Sequence, residues 1–166
     1  MNLRDILSGR LSQGLIAKLS SEMECEVLYS FIDDENGHVS YNALWVITHW
    51  DRNKQAWLAK HRNELIDLTI TCKRPGKRRL LMTLIERMDF SETDVRSDFI
   101  DFCLGKINST EPSGIRSLAI KLAYAQCRFY PELITELLAE LELLNLGDLS
   151  PALQCSRRNI LKKINA

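Results

Sequence analysis

Chemistry in this chain would have to come from side chains repeated at helical intervals, because no compact catalytic signature is present. Arg78, Arg116 and Arg157, with Asn42 in the equivalent place, each open a similar apolar segment. One residue further on stand Ala43, Arg79, Ser117 and Arg158. A helical turn beyond these come Ile47, Thr83, Lys121 and Lys162, and then Trp50, Glu86 and Tyr124. Those positions follow i, i+4, i+7, so they share one helical side, polar in the later segments. Lys and Arg on such a side could hold carboxylate or phosphate groups. The leading Arg column is harder to place, since a cation in the first turn of a helix opposes the helix dipole. Something other than the local helix must recommend it.

Other chemistries lack their parts. Seven glycines are dispersed and form neither GxGxxG nor GxxxxGKS, so no phosphate-cradling loop is expected. His38, His49 and His61 have no second ligand at metal spacing, and neither HExxH nor CxxC occurs. There is no GxSxG elbow, and the many carboxylates show no matched acid–base pair. The expectation is a protein without catalytic residues, cofactor or metal. Trp45 and His49, one turn apart, could suggest an aromatic–imidazole site. Their columns are apolar in the other segments, however, so core packing is expected for both. Trp50 instead extends the polar side beside Ala43 and Ile47. It either leaves an exposed apolar patch, of the kind that marks partner sites, or is covered by the N-terminal helices.

The elements that must position these residues are helices. The octet Asn63-Glu-Leu-Ile-Asp-Leu-Thr-Ile70 returns as Ser97-Asp-Phe-Ile-Asp-Phe-Cys-Leu104 and as Pro131-Glu-Leu-Ile-Thr-Glu-Leu-Leu138, at offsets of 34 and 34 (97 − 63, 131 − 97). A fainter copy, Cys25-Glu-Val-Leu-Tyr-Ser-Phe-Ile32, lies 38 residues before the first. A fixed period of this size marks stacked supersecondary units. Apolar residues recur at helical spacing nearly throughout, and no alternating strand pattern appears. Breaks fall at Asn36-Gly37, Arg52-Asn53, Pro75-Gly76, Phe90-Ser91, Pro112-Ser113-Gly114, Tyr130-Pro131 and Gly147-Asp148. The chain therefore reads as an N-terminal cap over residues 1–20 and four helix pairs over 21–164, in one domain. First helices are expected near 21–33, 55–72, 93–107 and 131–144, and second helices near 38–52, 76–89, 113–129 and 151–164.

The second helices align as Asn42-Ala-Leu-Trp-Val-Ile-Thr48, Arg78-Arg-Leu-Leu-Met-Thr-Leu84, Arg116-Ser-Leu-Ala-Ile-Lys-Leu122 and Arg157-Arg-Asn-Ile-Leu-Lys-Lys163. A Leu/Ile-rich first helix, a short turn, and a second helix that starts with Arg and runs into aliphatic residues resembles HEAT or armadillo-type repeats. It is similar to the small HEAT-like domains found as stand-alone bacterial proteins. The resemblance covers residues 21–164 and implies an all-α fold, a right-handed α-α superhelix. It also implies that the second helices line a concave groove. The groove residues would be Trp50, Arg79, Thr83, Glu86, Ser117, Lys121, Tyr124, Arg158 and Lys162. In such repeats the Arg column pairs with acidic residues of neighbouring turns, for which Asp33, Asp34, Asp67, Asp101 and Glu111 are available. A phosphate- or carboxylate-binding ladder is the other reading of that column.

Composition bounds the partner. Lys+Arg and Asp+Glu are both 22, so no global charge draws the chain to nucleic acid or an anionic membrane. Five cysteines (25, 72, 103, 127, 155) lie in or beside apolar helical runs and suit reduced, buried thiols. The first residues lack the apolar core of a signal peptide, and no run approaches the ~18 apolar residues of a membrane span. A cytoplasmic location is expected. The function expected is a non-enzymatic scaffold whose groove holds a protein or peptide, acidic or mixed in charge. The alternative rests on a similarity to the HEAT-like alkylpurine DNA glycosylases, with Lys77, Arg79, Lys121, Arg158, Lys162 and Lys163 on phosphates. The oligomeric state is left open.

Overall fold

In the computed structural model the backbone is described over residues 1–166, with every side chain except that of Asp148. Helices α1 (Leu3–Leu7), α2 (Gln13–Glu22), α3 (Cys25–Tyr29) and α4 (Gly37–Ile47) come first. They are followed by α5 (Arg52–Ala59), α6 (Arg62–Thr71) and α7 (Pro75–Glu86). The remainder comprises α8 (Ser97–Ile107), α9 (Ser113–Cys127), α10 (Pro131–Leu143) and α11 (Pro151–Ile164). No strand occurs among the described residues. The chain contacts cluster into two compact units, Met1–Ile85 and Glu86–Ala166.

The helix starts carry local signals. Side-chain oxygens of Asn2, Ser12, Asn36, Asp51 and Ser150 accept from backbone N–H groups of the first turns of α1, α2, α4, α5 and α11. Proline opens α7, α10 and α11, where its missing N–H costs nothing. The long helix expected near 55–72 is two helices. His61 leaves helical geometry (φ −105°, ψ 17°), and α5 gives way to α6 there.

The three strong octets lie in α6, α8 and α10, and the fainter copy starts in α3 and runs past its end at Tyr29. The fourth position of the octet is Leu28, Ile66, Ile100 and Ile134 in the four copies. The first three are buried, at 0%, 0% and 4% exposure. Ile134 departs from the pattern. Helix α10 packs on α8, α9 and α11 through Leu137 and Leu141, which leaves Ile134 half exposed. The seventh position (Thr69, Cys103, Leu137) is fully buried in all three strong copies.

The second helices follow their columns from α7 onward except at Ser117, which is buried. Leu81, Ala119 and Ile160 are buried, while Arg79, Lys121, Arg158 and Lys162 are exposed. Helix α4 breaks the rule. It contacts α1, α2 and α3, and Ala43, Leu44, Val46 and Ile47 are all fully buried. Its open strip carries His38, Tyr41 and Trp45 instead. Trp45, expected in the core, is 39% exposed and packs edge-on to Tyr41 at 6.0 Å. His49 is also exposed, its Nδ1 2.9 Å from the Trp45 carbonyl oxygen.

The Arg column caps the ends of preceding helices. Arg116 Nε donates to the Ile107 carbonyl at 2.9 Å, and Arg157 Nε to the Leu141 carbonyl at 2.9 Å. Arg78 donates from Nη2 to the Cys72 carbonyl. Each acceptor lies in the last turn or cap of the preceding helix, where carbonyls lack intrahelical partners. Asn42 does the same for α1, with Nδ2 2.8 Å from the Leu7 oxygen and 3.0 Å from that of Gly9. Of the expected acidic partners, Asp33 is engaged by Lys77 (3.2 Å), Asp34 by Arg4 (3.0 Å) and Glu111 by Lys106 (3.4 Å). A cation near the positive end of its own helix is compensated by sitting at the negative end of another.

An aromatic hub ties the first unit together. Tyr29 and His61 have ring centroids 4.6 Å apart, Trp57 and His61 4.5 Å, and Trp50 and Trp57 6.0 Å. The Tyr29 hydroxyl donates to Glu64 at 2.6 Å. Burial, then this bond, pushes the Tyr29 phenol up; the same bond, with His61 second, holds the Glu64 carboxyl down.

Two outcomes follow from this packing. Ile100→Ala should cost about 2–5 kcal/mol in chemical denaturation, and Ile134→Ala only about 1 kcal/mol; equal costs would contradict the octet's unequal burial. Glu64 has a depressed folded pKa, so its contribution is present above the unfolded carboxylate value of ~4.3 and is lost as pH falls through the folded value. Tyr29→Phe should therefore be less stable than wild type at pH 7, with the gap narrowing on acidification to pH ~3. A gap independent of pH would show that the Tyr29–Glu64 bond is not responsible.

Candidate functional site

The nine residues expected in the groove divide between the two units. Trp50, Arg79 and Thr83 belong to Met1–Ile85, and Glu86, Ser117, Lys121, Tyr124, Arg158 and Lys162 to Glu86–Ala166. Trp50 is not a surface residue. Helix α4 ends at Ile47, so a helical register cannot be carried to position 50. The chain turns there, the Trp50 N–H bonding the Ile47 carbonyl at 3.0 Å, and the indole goes inward to 3% exposure against Trp57. Its Nε1 finds no acceptor among the described residues. Arg79 is exposed and Thr83 half-buried, its hydroxyl bonding back to the Arg79 carbonyl at 2.7 Å. Ser117 is also buried, and its hydroxyl pairs with that of Ser156, joining α9 to α11.

Four of the nine do come together. Glu86, Lys121, Tyr124 and Lys162 line an open cleft of about 530 Å³ within the second unit. Helix α9 contributes Lys121 and Tyr124 at i, i+3, which places them on one face. Helix α11 contributes Asn159, Lys162 and Lys163 to the same cleft. Arg158 lies outside it, in a neighbouring hollow with Leu146 and Leu161.

Charge decides which of these groups are available. Lys121 and Lys162 are exposed and form no ion pair among the described residues. Lys163 is likewise without a carboxylate, its Nζ 5.8 Å from the Tyr124 ring centre. Arg128 lines the cleft but is spent on structure, donating to the Phe90 carbonyl at 2.5 Å and to that of Ala125 at 3.2 Å. Residues 86–166 hold twelve Asp and Glu against ten Lys and Arg, a formal −2. Three free ammonium groups around one Tyr are thus a local concentration against the prevailing charge. Glu86 and Asp89 on the same cleft make its lining mixed. Such an arrangement can hold carboxylates and an apolar or aromatic side chain.

Reasoning from columns missed the loop wall of the cleft, Met88 to Phe90, and Asn159. Loop residues carry no period, and Asn159 sits one position off the column that was followed. Lys163 was legible only as a phosphate contact. Among the described residues no three His, Cys, Asp or Glu side chains converge as a metal site, and no helix is long and apolar enough to cross a membrane.

A family model described as a HEAT repeat domain matches residues 3–164. No curated protein and no solved structure matches the chain.

The inverted environments of Trp45 and Trp50 can be checked in solution. Trp45→Phe should remove most of the fluorescence that acrylamide quenches, whereas Trp50→Phe should leave the quenchable fraction nearly unchanged. The opposite result would put Trp50 on the surface.

Proposed function

The chain belongs to the HEAT repeat domain family, and on that premise we propose that it is a non-enzymatic scaffold that holds an acidic or mixed segment of a protein partner. HEAT repeats stack helix pairs into extended binding surfaces and commonly serve protein interaction. The observation that carries the proposal is the set of unpaired ammonium groups of Lys121, Lys162 and Lys163 beside Tyr124 in the cleft of the second unit. Lysines engaged by carboxylates elsewhere in the fold, Lys77 and Lys106, show what unpaired ones lack. An incoming carboxylate supplies the missing partner, and the Tyr124 ring offers a surface for an apolar neighbour. Glu86 and Asp89 on the same cleft favour a protein segment over a nucleic-acid backbone, whose unbroken row of phosphates they would repel.

The test uses defined probes. Fluorescence polarisation would compare a labelled Glu-rich peptide containing one Phe with a labelled generic DNA duplex, at low and physiological salt. The peptide should bind, and Lys121→Glu with Lys163→Glu should weaken it at least tenfold without loss of helicity. Peptide binding that ignores the double substitution would remove the cleft from the function. Salt-sensitive binding of the duplex with none of the peptide would favour the phosphate reading instead.

A further inference from the structure

The second unit carries two largely open helical stripes that meet the cleft only at Lys162. On α10, Glu132, Glu136, Ala139 and Leu143 recur at i, i+4, i+7, i+11, and all four are exposed. On α11, Gln154, Arg158, Leu161 and Asn165 recur at the same spacing, with Lys162 at the edge. The first stripe is acidic at its N-terminal end and apolar at its C-terminal end. The second is apolar and neutral where Leu146 meets Gln154, and basic a turn or two later. Leu146 belongs to this face: Gln154 Nε2 bonds its carbonyl at 3.4 Å, and both line a hollow of about 560 Å³ with Arg158, Leu161 and Lys162.

Apart from Met1, Leu143 and Leu146 are the most exposed large apolar side chains, at 71% and 54%. Arg158 has no hydrogen bond or ion pair among the described residues, nor have Glu132 and Glu136. Charge of both signs and apolar surface are therefore left open on neighbouring helices of one unit.

We propose that these stripes are the two halves of an interface between copies of this chain, the α10 stripe of each packing antiparallel on the α11 stripe of the other. The register supports it. With Leu143 set against Leu146 and Gln154 of the second copy, Glu136 lies roughly 10 Å along α10, at 1.5 Å per residue. Arg158 and Lys162 of the second copy then lie roughly 6 and 12 Å along α11 on the same count. Glu136 falls between two cations, and Ala139 leaves room for the Arg158 stem. In the parallel orientation, with Leu143 still on Leu146, the glutamates run away from both cations. A two-fold axis along the helices engages both contacts at once and closes the assembly as an isologous dimer. A formal net charge of zero removes the long-range repulsion that would oppose it.

This contact goes beyond the cleft reading, and a separate experiment decides it. Sedimentation velocity from about 5 to 500 μM at low salt should show conversion from the 19.1 kDa chain to a dimer, weakening as NaCl rises. Arg158→Glu with Lys162→Glu should lower the association constant at least tenfold, as should Glu132→Lys with Glu136→Lys. Mixing the two reversed variants should restore a dimer, because each stripe then meets its opposite. Lys121→Glu with Lys163→Glu, which addresses the cleft, should leave the dimer intact. A wild-type monomer at 500 μM overturns the proposal. So does a dimer that both reversals leave unchanged, or a mixture of reversed variants that stays monomeric while circular dichroism shows each folded.

Discussion

Eleven short helices mean many helix ends, and the fold depends on how the carbonyls at those ends are satisfied. Each helix leaves its last carbonyls without intrahelical donors, and burying them unpaired would be costly. The chain meets this with side chains from other helices. Arg116 and Arg157 each reach a carbonyl near the end of the preceding helix, as does Arg78 through Cys72. Lys54 gathers the carbonyls of Ser20, Ser21 and Met23 where α2 ends. Asn108 adds an amide to the Glu140 carbonyl near the end of α10. These bonds set how closely each helix lies against its neighbour, and the buried faces follow from that spacing.

The repeat itself was legible because burial and period coincide. The octets fall inside α6, α8 and α10, and their seventh position is buried in every strong copy. Apart from Ser117, the second helices were readable for the same reason from α7 onward. The columns do not extend to α4, where contact with α1, α2 and α3 buries the sides that later helices show to solvent. A repeat period says nothing about how many neighbours a particular copy has. Nor does it say where a helix stops, which is why Trp50 was assigned to a surface it does not reach.

The candidate site was legible in part. Lys121, Tyr124 and Lys162 could be grouped because they stand on regular helices, and they do share a cleft. What residue type could not reveal is which cations are already employed. Arg128 and Lys121 look equivalent as letters, yet one is bonded to two carbonyls and the other has no ion pair among the described residues. Ser117 shows the same limit: a polar residue in a polar column, it is buried through a partner hydroxyl 39 positions away. Sequence indicates chemistry in potential, and packing decides what remains for a ligand.

The cap bonds also differ in reach. Three close within a helix pair, across 6, 9 and 16 residues of chain. The one made by Asn42 spans 35, and the Arg4–Asp34 pair that also holds α1 spans 30. Local closures cost little chain entropy and form early, whereas distant ones wait for the intervening segment to be ordered. Folding should accordingly begin within the individual later pairs and reach the N-terminal helix last. In reverse, α1 is the first element to fray, and its amides should exchange with solvent while the rest of the first unit is still protected.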